Sequence, residues 1–151
     1  MKRWLAILIS VIGVVAVVGA IIGISLAVKN KNENTGDGLA KYSAVEYFES
    51  SQVKEQPMVI RAYAVGEEQF TKISYQIGTE NEVTISSAKY DKATEDWAKY
   101  DDDFEGMNYI DTGVITIDLS DLSEGKHVFQ VFVYSGSNVS ECIFEKIFTI
   151  Q

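Results

Sequence analysis

"HVFQVFVYSGSNVSECIFEKIFTIQ", His127 to Gln151, alternates apolar and polar residues on both sides of the Ser-Gly-Ser-Asn break at Ser135 to Asn138. Successive strand residues point to opposite faces, so Phe129, Val131 and Val133 share one face while Phe132 and Tyr134 share the other. A break of small polar residues between two such runs reads as a hairpin turn. Two long antiparallel strands at the carboxyl end therefore set the class.

The same period recurs upstream. "MVIRAYAVG" sets Met58, Ile60, Ala62 and Ala64 against Val59, Arg61, Tyr63 and Val65, and "FTKISYQIG" sets Ile73, Tyr75 and Ile77 against Lys72, Ser74 and Gln76. "SAVEYFES", "EVTISSAKY" and "GVITIDL" add three more candidate strands, and no long helical period occurs between them. About seven short strands separated by turns predict an all-β antiparallel sandwich over residues 41–151. "KATEDWAKYDDDF" reads as a connection with a helical turn, pinned to the core by Trp97, Tyr100 and Phe104. Tyr63, Phe132 and Tyr134 fall opposite the core pattern, where they mark a contact surface or lie under a neighbouring segment.

The amino terminus is of another kind. Trp4 to Val28 is an uncharged run of 25 residues, preceded by Lys2 and Arg3 and followed by Lys29 and Lys31. As a helix it would reach about 37 Å, enough for a hydrocarbon layer of about 30 Å. Residues 1–28 are thus read as one membrane-spanning helix, a signal anchor, with 29–40 as a flexible polar linker. Cleavage near Ser25-Leu26-Ala27 is the alternative, but the apolar run exceeds the core of a signal peptide, about 7–15 residues. The flanking basic residues are nearly balanced, and the expected orientation is a cytoplasmic amino terminus with the sandwich extracytoplasmic. Gly19 and Gly23 form a GxxxG on a stripe with Ala16, Ala20 and Ala27, which would suit a homo-oligomeric contact in the membrane.

Charge and cysteine content narrow the partners. All 22 Asp and Glu follow the apolar run, against 11 of the 13 Lys and Arg. So acidic a surface repels phosphate backbones, which argues against nucleic-acid binding. Cys142 is the single cysteine, so no intrachain disulfide forms; its strand context predicts a small buried hydrophobe.

"DLSDLSEGKHVFQVFVYSGSNVSECIFEKIFTI" resembles the last hairpin of prokaryotic immunoglobulin-like domains, with Leu122, Gly125 and His127 leading into Phe129, Val131 and Val133. "KISYQIG" is similar to their third strand. The chain departs from antibody-type domains in lacking the paired cysteines and the third-strand Trp. The resemblance implies a spacer, adhesion module or assembly subunit at a cell surface.

Two constellations bear on chemistry. In "KYDDDFEGMNYIDTG", aligned on Asp101, residues Asp101, Asp103 and Glu105 take positions one, three and five of an EF-hand-like loop, with Gly106 at six. Position twelve is Thr112 and Asp111 stands one residue early, so the stretch reads as a solvated acidic loop. A weak surface calcium site built from Asp101, Asp103, Glu105 and Asp111 is its alternative, and no other cofactor is indicated. His127, the single histidine, reads as a strand-corner residue bonded to backbone, since no Gly-x-Ser-x-Gly elbow accompanies it.

The expected function is that of a non-enzymatic, single-pass cell-membrane protein whose surface domain binds a protein partner, adheres or assembles. A pilin-like filament subunit is the first alternative, and a small secreted or anchored hydrolase the second.

Overall fold

The computed structural model describes residues 32–35, 38–94, 102–136 and 139–151. The apolar run Trp4 to Val28, with Gly19 and Gly23, lies outside them, as do Trp97, Tyr100, Asp101 and Asn138. Among the described residues no helix is long and apolar enough to cross a membrane.

The fold is all-β, in two five-stranded sheets. Sheet one runs β1 (Asn32–Thr35), β2 (Tyr42–Glu46), β4 (Met58–Gly66), β8 (Asn108–Ile117) and β7 (Lys89–Lys92), every neighbouring pair antiparallel. Sheet two runs β3 (Ser51–Gln52), β10 (Val139–Ile150), β9 (Gly125–Ser135), β5 (Phe70–Ile77) and β6 (Val83–Thr84). Here β3 pairs parallel with β10, and the other pairs are antiparallel. One end of the sandwich carries the β4–β5 turn and the β9–β10 hairpin; the other carries the β5–β6 turn at residues 78–82 and the β8–β9 connection at 118–124.

The strands expected from alternation are present, with three differences. Asn32–Thr35, in the segment read as linker, pairs in register with β2 from Asn32↔Val45 to Thr35↔Tyr42. Ser51–Gln52 forms the short β3. "EVTISSAKY" is not one strand: β6 pairs with β5 in sheet two, the chain turns at Ile85 to Ala88, and β7 pairs with β8 in sheet one.

The core fills the space between the inward faces. Met58, Ile60, Ala62 and Ala64 of β4 meet Ile73 of β5 and Phe129, Val131 and Val133 of β9 in one buried cluster. Phe48 stacks on Phe129 with ring centroids 5.6 Å apart and meets Phe144 edge-on at 5.0 Å, an arrangement worth more than its buried area alone.

Three long strands change parity to keep that face inward. On β8, Thr112 and Gly113 together oppose Ala62, and Gly113 takes φ 64°, the left-handed value of a bulge glycine. Ile110 and Thr112 are buried before the bulge and Ile117 after it, while Val114 turns outward. Thr71 on β5 and Ile143 on β10 mark equivalent shifts.

The last shift corrects the expectation for Cys142. Ile143 and Phe144 are both buried, and the extra residue turns Cys142 outward, so it is exposed and not part of the core.

Truncation of the central ring, Phe129→Ala, is expected to destabilise the fold by about 3–5 kcal/mol, and Gly113→Ala, forced into the left-handed region, by about 1–2 kcal/mol. Urea denaturation followed by circular dichroism measures both.

Candidate interaction face

The two outer faces of the sandwich differ in how they are covered. On sheet one, Tyr42 and Ala44 of β2 and Tyr63 and Val65 of β4 form a second buried cluster under Ala93 and Phe104, with Met107 packed alongside. Phe104, the last residue of the 3-10 turn Asp102–Phe104, sits 5.8 Å from the Tyr42 ring. Of the residues expected to pin this connection, Phe104 does so. The pentad Ala62 to Gly66 is buried throughout, because β4 has apolar cover on both faces there.

Lower on the same face, polar groups replace the apolar cover. Arg61 donates from Nε to Asp111 Oδ1 at 3.1 Å and from Nη2 to Asp111 Oδ2 at 2.6 Å, a bidentate pair bridging β4 and β8. Glu46 on β2 lies 3.5 Å from Arg61 Nη1 and accepts the Tyr63 hydroxyl at 2.9 Å. Hydrogen bonding to Asp111, opposed by partial burial, raises the Arg61 pKa above its ordinary value, so the guanidinium stays charged. Asp111 Oδ1 also accepts from Gly113 N at 2.8 Å, tying the ion pair to the bulge.

Of the acidic stretch, these contacts engage Asp111. Asp111 lies within β8, not in a loop, and is committed to Arg61, while Asp103 and Glu105 are exposed near the 3-10 turn. Among the described residues no three His, Cys, Asp or Glu side chains are grouped so as to hold a metal ion. His127 Nε2 donates to the Ser123 carbonyl at 2.7 Å, the corner arrangement that its position predicts.

Sheet two presents a different outer face. Register places Ser74, Phe132 and Cys142 in one cross-strand row, Gln76, Gln130 and Glu145 in the next, and Val128 beside Ile147 beyond. Phe132 and Tyr134 are half-buried, and Ile147 is 60% exposed. Glu82 holds the β5 margin of this face: it accepts from Ser74 and from the Tyr134 hydroxyl, and Lys72 lies 3.7 Å away. The bonds from Ser74 first and Tyr134 second lower the Glu82 pKa, and the bond to Glu82 raises that of Tyr134. Lys72 Nζ also stands 4.0 Å over the Tyr134 ring.

The expected contact surface is thereby divided. Tyr63 is sealed inside sheet one's cover, whereas Phe132 and Tyr134 stand in the mixed apolar and polar face of sheet two. Sequence reading missed the Arg61–Asp111–Glu46 network, although a lone arginine in an otherwise uncharged strand is the signal that a partner must stand nearby.

Compared with known proteins, the chain matches no family model, no curated protein and no solved structure.

Asp111→Ala should cost about 1–2 kcal/mol, since it leaves a half-exposed guanidinium and the bulge amide short of a partner; Asp111→Asn, which keeps an acceptor, should cost less in the same urea titration. Cys142 should react with a maleimide in the native protein without denaturant. Partial burial raises its pKa, so the rate should keep climbing with pH beyond the ordinary thiol range; protection until unfolding would contradict the outward placement.

Proposed function

We propose that this chain is a non-enzymatic, single-pass membrane protein whose immunoglobulin-like sandwich projects outside the cytoplasmic membrane and works by binding another protein. The observation that carries the binding reading is the contrast between the two outer faces. Sheet one is closed over by the chain's own Ala93, Phe104 and Met107. Sheet two leaves Ile147, Phe132 and Tyr134 at the surface among paired polar groups, the mixture of aromatic anchors and polar rim that protein interfaces use.

The strand order supports the immunoglobulin-like assignment. Without β1, sheet one reads first, second, fifth and fourth strand of the seven-strand pattern, and β10-β9-β5 reads seventh, sixth and third. His127 bonds backward to a carbonyl four residues upstream at the corner where such domains place a tyrosine. Two residues on, Phe129 stands where antibody domains have their second cysteine, with Tyr75 of β5 at 5.9 Å. Packed aromatics here serve where a disulfide would.

Chemistry is assigned to no residue because the prominent polar side chains bind one another. Arg61 and Asp111 are paired, Glu82 is held by Ser74 and Tyr134, and His127 by Ser123. The membrane assignment rests on the length and apolarity of Trp4 to Val28.

The test joins location to contact. Carbonate-washed membranes should retain the full-length chain, and protease added to intact cells should remove the sandwich. Ile147→Glu and Phe132→Ser should each lower cross-linking to a surface partner at least tenfold while leaving the melting temperature within a few degrees. Unchanged cross-linking in both variants would displace the binding surface from sheet two.

A further inference from the structure

The register of β1 sets how far the sandwich can stand from the bilayer. Asn32 lies opposite Val45, which lies opposite Ala62, and β4 begins four residues earlier at Met58. Sheet one therefore extends past Asn32 by about 13 Å, in the direction from which the chain enters β1. The apolar run ends at Val28, so only residues 29–31 intervene before Asn32. Fully extended, the path from Val28 to Asn32 covers at most about 14 Å. A connector of that length can reach no further than the overhang itself.

Resting on the membrane reading above, we infer that the sandwich sits directly on the lipid headgroups, with the end bearing the β5–β6 turn and the β8–β9 connection against them. Were 29–40 a free tether, a linker of that length would let the domain roam; pairing of Asn32–Thr35 with β2 removes four of its residues from the slack. The contacting end carries Glu49, Glu55, Glu80, Asp118, Asp121 and Glu124 against Lys54 and Lys126. Its preferred lipid surface is accordingly zwitterionic or neutral, and anionic headgroups would push it away. The opposite end, with Glu105 and the β9–β10 hairpin, points away from the membrane, separated by the ten residues of β8, about 33 Å.

The test uses the full-length chain with Cys142→Ser and one introduced cysteine, at Glu80 or at Glu105, both exposed. Each is labelled with a fluorophore and reconstituted in phosphatidylcholine vesicles containing a headgroup-spin-labelled lipid. The Glu80→Cys label should be quenched at least threefold more than the Glu105→Cys label. Insertion of ten Gly and Ser residues between Lys31 and Asn32 should abolish the difference. Equal quenching at both positions, in protein that floats with the vesicles, overturns the posture and leaves the membrane reading standing. Protein that does not float with the vesicles overturns both.

Discussion

Strands of eight to twelve residues must each keep one apolar face turned toward the opposite sheet, and the rest of the structure depends on how they do so. A period of two cannot simply be maintained along a twisted strand whose sequence changes parity. β5, β8 and β10 solve this with an extra residue that shifts which positions face inward. At β8 the shift is secured by Gly113 in the left-handed region and by Thr112, whose hydroxyl accepts from Ala62 N at 2.9 Å. Phe129 then sits fully buried among Phe48, Tyr75 and Phe144.

The sequence made the long strands readable because their alternation is strong and local. "HVFQVFVYS" buries Phe129, Val131 and Val133 where the pattern places them, and "KISYQI" buries Ile73 and Ile77. Short strands were not readable. Ser51–Gln52 has two residues, too few to carry a period, and Asn32–Thr35 reads NENT, wholly polar, so it offers no apolar alternation to read. The placement of Cys142 was hidden for a different reason: a bulge changes the face of every residue on one side of it, and nothing in "SECIFEK" marks the extra residue. In the acidic stretch, spacing suggested a loop, and residues 102–107 are turns, but Ile110 between Tyr109 and Asp111 belongs to the core and draws the part from Asn108 on into β8.

The candidate face follows from what the chain has already covered. A sandwich has two outer faces, and covering one with the chain's own connection leaves the other open. Phe104 performs that covering on sheet one, with Tyr42 and Tyr63 beneath it. On sheet two, Lys72, Glu82 and Tyr134 form a linked polar group beside Phe132, so the aromatic side chains are held in defined positions. Order of that kind before contact lowers the entropy lost on association.

The margin of β10 has a consequence for how the protein behaves in a crowd of its own copies. β3 pairs with this strand only at Thr149 and Ile150, and Glu141 accepts from Ala40 N at 2.8 Å near the other end. Between them runs a stretch of strand edge of the sort that recruits further chains into growing sheets. Lys146 lies on the side shared by Phe144 and Phe148 yet remains exposed, and Glu145 stands on the reverse side. A second chain laid along this edge would have to trap a charge on each surface, so accretion into fibrils is opposed at the place where it would otherwise begin.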